Sequence, residues 1–184
     1  MASAEFVHLH GHSEYSLLDG GCHMAAMAPA AAELGMSALA VTDHGNLFGA
    51  ISHYRSCRDA GVKPILGCEV YVAIGSRHER KGARGLTHGS NHLVLLAKNE
   101  TGWRNLVKLV SRGYTEGFYY NPRIDKELLR SHSEGLVCLS ACVSGEVAHL
   151  IQEEGVDTAE EAVREYLDIF GDDYYLEIQR HGID

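Results

Sequence analysis

Ala38-Leu39-Ala40-Val41-Thr42-Asp43-His44-Gly45-Asn46 carries the pattern that decides the fold. A short buried-type strand ends in a carboxylate and a histidine beside glycine, and residues 48–60 then turn helical and stop at Gly61. Working outward, the same alternation recurs. Residues 6–10 read as a first strand. Residues 24–34 read as a helix, with Pro29 inside it and Gly35 as its stop. Residues 64–66 and 70–72 are strand material, and 75–91 form a polar loop. Residues 92–97 are another strand. Residues 102–114 are a helix whose apolar face is Leu106, Val107, Leu109 and Val110. A strand over 135–140, helices over 146–153 and 159–170, and a strand over 174–178 complete the chain. Strands separated by helices of this length predict βα units and a mostly parallel sheet, doubly wound or closed as a barrel. There is no internal repeat. The chain stops at Asp184, just after a strand, where a barrel would want further units, so a fragment is expected.

Bulk numbers narrow the function. At 184 residues the chain is about one domain long, and 45% hydrophobic content supports a core. The net charge of −9 argues against a protein that coats nucleic acid generally. No apolar run is long enough to span a membrane, and residues 1–6 lack the features of a signal peptide. The five cysteines form no C-x-x-C pair, which suits reduced thiols in a cytoplasmic protein. The twelve histidines are what stand out.

Several of these histidines, with carboxylates, fall at strand ends, the edge where α/β proteins build sites. His10 and His12 close the first strand, and period-two alternation points both imidazoles to one side. His8 extends the alternation but lies a strand-step deeper, as a core or supporting histidine. Asp19 follows in a Leu-Asp-Gly turn, and His44 follows the second strand. Glu69 sits in an apolar setting where a buried carboxylate needs a partner, and a cation is one solution. Cys142 follows the strand over 136–140. His92 departs from the pattern, because it opens its strand. Each residue also has an ordinary explanation: a surface histidine, a turn aspartate, a small buried cysteine. Their meeting on one rim is what points to metal. The His/Asp/Glu mixture favours Zn²⁺, Mn²⁺ or Fe over Mg²⁺. Such ions activate water and stabilise in-line phosphoryl displacement, with His12, His44 and Glu69 as candidate catalytic residues. Arg77, Arg80, Lys81 and Arg84 make a basic run in an acidic chain, either a solvated loop or a contact for the DNA backbone.

The stretch from Phe6-Val7-His8-Leu9-His10-Gly11-His12 to Leu18-Asp19-Gly20 resembles the opening motif of the PHP (polymerase and histidinol phosphatase) domain. More narrowly, several strings resemble the alpha subunits of bacterial DNA polymerase III, in the main replicative form. They are Asp43-His44-Gly45-Asn46-Leu47-Phe48-Gly49, Lys63-Pro64-Ile65-Leu66-Gly67-Cys68-Glu69, His92-Leu93-Val94-Leu95-Leu96-Ala97 and Glu116-Gly117-Phe118-Tyr119-Tyr120-Asn121-Pro122-Arg123. The resemblance implies a distorted seven-stranded, TIM-like βα barrel, with up to three Zn or Mn ions in a complete domain. The implied ligands are His10, His12, Asp19, His44, Glu69, His92 and Cys142. Glu69 would bridge two ions, one shared with His10 and His12, the other with His92 and Cys142. Asp19 and His44 would hold the third. The family's late Asp-x-His motif, and the palm, thumb and fingers with their Mg-dependent polymerase site, are absent from this sequence. Residues 1–184 would then be an incomplete PHP domain.

That resemblance implies a replicative DNA-directed DNA polymerase as the parent, acting on DNA primer-template with a sliding clamp and a proofreading exonuclease as partners. The domain itself would supply metal-dependent 3′–5′ exonuclease proofreading or structural support. Two alternatives stay open: a stand-alone phosphatase on a small phosphate ester, and a catalytically silent scaffold docking a separate exonuclease.

Overall fold

The computed structural model describes residues 6–80 and 89–180. Helix α1 (Met24–Glu33) leads into strand β1 (Ala38–Val41), and helix α2 (Ala50–Asp59) leads into strand β2 (Lys63–Ala73). The two corners are built alike. Gly35 (φ 76°) and Gly61 (φ 72°) take the left-handed conformation that ends a helix cheaply only at glycine. Met36 N then donates to Ala31 O at 2.9 Å, and Val62 N donates to Cys57 O at 2.9 Å. Met36 and Val62 fold back against Ala31, Leu39 and Cys57. This identical exit starts β1 and β2 side by side, in parallel, with Ala38 opposite Lys63.

Strand β3 (Ser90–Ala97) runs antiparallel to β2 through seven residue pairs, from Gly67–Leu96 to Ala73–Ser90. Helix α3 (Glu100–Thr115) is capped by Asn99, whose side chain accepts from Gly102 N at 3.0 Å. Next come β4 (Phe118–Tyr119), β5 (Asn121–Ile124) and the short helix α4 (Lys126–Ser131). Strand β6 (Leu136–Leu139), helices α5 (Glu146–Glu153) and α6 (Val156–Phe170), and β7 (Tyr174–Tyr175) follow. The strand order is β4-β5-β2-β3-β6-β7, with β1 beside β2.

Alternation along β2 and β3 divides the core between the two faces of the sheet. Cys68, Val70, Val72, Leu93 and Leu95 pack outward beneath Leu106 and Leu109 of α3 and Tyr166 and Ile169 of α6. Ala40, Val94, Leu96, Leu139 and Ala141 gather on the other face. Glu69 pairs with Val94, and Tyr71 with His92, so Glu69, Tyr71 and His92 share that second face.

The sheet corrects the expectation of a mostly parallel arrangement. Pairings β2–β3, β3–β6 and β4–β5 are antiparallel, while β1–β2, β2–β5 and β6–β7 are parallel. Among the described residues no helix lies between β2 and β3, and neighbouring strands joined without a crossover run in opposite directions. The two strand fragments expected over 64–66 and 70–72 form one eleven-residue strand, because Gly67-Cys68-Glu69 continues the ladder. Residues 6–10 are extended without being a ladder strand. They meet the β1 side through Ala40 N donating to His8 O and Thr42 N to Gly11 O, each at 2.9 Å, while Gly11 N donates only to the Thr42 side chain, at 3.0 Å. The last strand covers Tyr174–Tyr175 only. No helix is long and apolar enough to cross a membrane among the described residues.

Candidate metal centre

Glu69 stands at the middle of a histidine cluster and is 1% exposed. The pairing of β1 with β2 extends past Val41 as a bridge between His44 and Glu69, with Gly45 N donating to Glu69 O at 2.8 Å. Gly45 makes this turn with φ 61°, and a Cβ there would sit 2.8 Å from Pro122 and 3.0 Å from Tyr71. His44 and Glu69 are thereby fixed side by side.

The two carboxylate oxygens of Glu69 face different partners. Oε2 meets His10 Nε2 in a very short contact and His12 Nε2 at 3.2 Å. Oε1 lies close against His92 Nδ1 and 3.5 Å from His44 Nδ1. His10, His12 and Glu69 form one group, and His44, Glu69 and His92 a second; within each, ligand atoms lie within 4.8 Å of one another. The antiparallel course of β3 explains why His92 opens its strand. The start of β3 meets the same edge at which β1 and β2 end.

Cys142 reaches that edge because β6 is antiparallel to β3, with Leu139 opposite Val94. Ala141 turns the chain there with φ 62°, strained for an L-residue. Cys142 Sγ then lies 3.9 Å from His92 Nδ1, and Ser144 N donates to the sulfur at 3.4 Å. Asp19 Oδ2 sits 2.9 Å from His44 Nε2 on the exposed side. All seven residues singled out as ligands therefore stand on one rim. His8 is exposed and apart from them.

Two supporting carboxylates escaped sequence reasoning. Glu177 Oε1 lies 2.8 Å from His10 Nδ1, holding the ring so that Nε2 points at Glu69. Asp43 is 2% exposed and accepts from Ser13 N, Ser13 Oγ and Ser16 Oγ at 2.7–2.8 Å. It pins the turn carrying Asp19 onto the end of β1. Asp43 adjoins His44 in sequence and could have been flagged; Glu177 has no motif spacing to any partner.

The donor set fits divalent ions. His12 Nδ1 and His44 Nδ1 are buried without a hydrogen-bond partner, a cost that coordination would relieve. Electrostatics agree. Burial pushes the Glu69 carboxyl up, but the approach of His10, His12 and His92 outweighs it and holds the pKa far below the usual carboxylate range. Burial opposes the proton on His10, yet Glu177 and Glu69 raise its pKa to about 10. Burial likewise opposes the proton on His92, which Cys142 and Glu69 raise to about 9. Burial raises the Cys142 thiol, and His92 with Ser144 N brings it below its ordinary value.

Without metal, then, His10 and His92 stay protonated at neutral pH and satisfy Glu69 as imidazolium partners. An ion has to displace those protons. Zinc titration near neutral pH, in two buffers of different ionisation enthalpy, should show about two protons released per chain on full loading. Loading without proton release would refute this. Both folded values exceed the ordinary 6.5, so this pairing stabilises the metal-free fold fully below 6.5 and fades as pH climbs through about 9 and 10.

Of the basic run, Arg77 does not face outward as expected. Arg77 is buried: Nη1 donates to Asp125 at 2.9 Å and to Glu127 at 3.1 Å, and Nε donates to Glu116 at 2.7 Å. Three carboxylates occupy its guanidinium, so the expectation that Arg77 contacts DNA is corrected. Arg80 is exposed, while Lys81 and Arg84 lie outside the described residues. The cysteines that read as reduced thiols are all free, and only Cys22 is exposed.

Among known proteins, the chain is 49% identical over 185 residues to the DNA polymerase III subunit alpha of Treponema pallidum, covering 100% of this chain and 16% of that protein. It is 49% identical over 181 residues to the same subunit of Thermus aquaticus, covering 97% and 15%. The match falls in the N-terminal region of those subunits. The chain thus spans about a sixth of the length of these relatives. Among solved structures, an amidohydrolase from Chromobacterium violaceum overlaps 88% of this chain and 55% of its own, with TM-score 0.38 and 19% identity. The family model that describes the PHP domain matches residues 8–181, and by that span the chain belongs to the PHP domain family.

Proposed function

We propose that this chain is the PHP portion of a replicative DNA polymerase III alpha subunit, and that its histidine–glutamate centre cleaves phosphodiesters at the 3′ end of a DNA strand. The observation that carries the reading is the division of labour at Glu69, one oxygen facing His10 and His12 and the other facing His44 and His92. One buried carboxylate placed between two nitrogen clusters suits two ions sharing a ligand. Cys142 supports the second position, and Asp19 with His44 supports a third. Thiolate and imidazole donors favour Zn over Mn at the Cys142 side.

Bound there, such ions supply charge neutralisation and an activated water for phosphoester hydrolysis. The chain's own part is positioning. Glu177 orients His10, Asp19 orients His44, and Asp43 holds the turn between them. The extended segment 6–12, bonded to β1 on one side and reached by Glu177 on the other, supports a distorted barrel closed through that segment. Primer-template DNA, the sliding clamp, a separate proofreading exonuclease, a Mg-dependent polymerase site and a cytoplasmic location belong to the parent on the same reading.

The test uses the longer parent protein. His12→Ala and Glu69→Ala should each lower excision of mismatched primer ends by about a hundredfold while primer extension persists. If excision and metal content are both unchanged, the catalytic reading fails. A fall in extension together with thermal stability would favour the scaffold role.

A further inference from the structure

A cavity of about 390 Å³ opens directly beside the centre, at the small end of the range for small-molecule sites, about 300–1,000 Å³. His44 and His92 line one part of it, and Tyr71, Tyr114 and Phe48 line another. Tyr71 joins the two parts. Its ring centroid lies 6.1 Å from that of His44, nearly parallel at 20°, and 5.2 Å from that of His92, edge-on at 86°. Phe48 is 69% exposed and Tyr114 43% exposed. These are large aromatic faces left against solvent, next to a polar centre.

What the lining can recognise is narrow. Among the described residues no lysine or arginine contributes to it. The Asn46 amide is spoken for: its Nδ2 donates to Tyr15 O and His44 O, and its Oδ1 accepts from Phe48 N. Asp19 is paired with His44 and the Ser16 hydroxyl donates to Asp43, while Leu17 and Leu18 add apolar surface, so the aromatic rings are what a planar ligand can stack on. A ligand that reaches both parts therefore carries a phosphate at the histidines and a flat ring beside it.

We propose that this cavity is a stacking subsite for the nucleobase of a single-stranded nucleotide whose phosphate lies at the histidine–glutamate centre. The proposal rests on the phosphoester reading above and extends it by assigning Phe48, Tyr71 and Tyr114 to the base. Every base has a stacking face, and Asn46 is not free to read a base edge, so recognition tolerates any base.

Binding to the zinc-loaded chain tests this, with dAMP, dTMP and deoxyribose 5-phosphate as probes. The two nucleotides should bind alike, each about tenfold tighter than the sugar phosphate. Phe48→Ala and Tyr114→Ala should each remove most of that advantage and leave sugar-phosphate affinity unchanged, while Phe48→Trp should retain it. Both side chains are exposed, so these variants keep the fold, and a melting curve checks this. Equal binding of nucleotides and sugar phosphate overturns the base subsite and leaves the phosphoester reading standing. So does a nucleotide preference that survives both alanine substitutions. Binding of neither class overturns both.

Discussion

Glu69→Gln empties both histidine clusters of metal at once. The amide has nearly the volume of the carboxylate, so the side chain still fits a position only 1% exposed. It loses the negative charge, and one of its two oxygens becomes an NH2 group that cannot coordinate. Each oxygen serves a different cluster, so no rotamer of glutamine supplies both. Supporting residues alone are worth about 10–100-fold in metal affinity, so loss of the shared ligand should exceed that, about a hundredfold or more at each position. Metal analysis after dialysis against micromolar zinc should find the variant nearly metal-free. His12→Ala provides the contrast, because it touches Oε2 alone and should leave the His44–His92 cluster loaded. A Gln variant that keeps a full complement of metal would show that Glu69 is not the shared ligand.

Asp125→Ala should cost the fold about 3–5 kcal/mol, the loss expected when one partner of a buried ion pair is removed. Asp125 is 3% exposed and makes four bonds. It accepts from Arg77 Nη1 at both oxygens, from Arg77 N at 2.9 Å, and from Leu128 N at 3.0 Å as the cap of α4. Alanine leaves a buried guanidinium with the more exposed Glu116 and Glu127. Losing the cap alone accounts for about 0.5–2 kcal/mol of the total. Denaturant titration of Asp125→Ala against Asp125→Asn brackets the contributions, since asparagine keeps the cap through Oδ1 but turns an NH2 donor toward Arg77 N and Nη1. The folded fraction of either variant should bind zinc as before. A loss below about 1 kcal/mol for alanine would mean that Arg77 finds water instead.

The candidate site was more legible in the sequence than the sheet that carries it. His10, His12, Glu69 and Cys142 could be singled out as candidates because ligand chemistry restricts residue type, and strand ends restrict position. The direction of β3 was hidden. A strand buried on both faces reads as a continuous apolar run whichever way it points, and Leu93-Val94-Leu95-Leu96 is such a run. The one symptom was His92 at the wrong end of its strand. The hairpin β4–β5 and helix α4 had no counterpart in the sequence reading, because elements of two, four and six residues are too short to show a period. Arg123 is 1% exposed, with its guanidinium donating to the carbonyls of Gly117, Arg77 and Glu79. A cation satisfied by backbone oxygens leaves no pattern in the sequence. The same holds for Glu177, whose contact with His10 spans 167 positions of the chain.

The antiparallel pairing of β2 with β3 bears on how such a domain changes over generations. Both ends of the connection between Ala73 and Ser90 lie at the edge where the histidines gather, and seven residue pairs lock the register behind it. Arg77 and Glu79 tie down the first part of that connection, yet a change of length after them leaves Glu69 in register with the strand that carries His92. A right-handed helical crossover would not permit this, because its length has to match the helix it carries. The connection therefore offers a place where new binding loops can be tried beside an unaltered histidine–glutamate cluster.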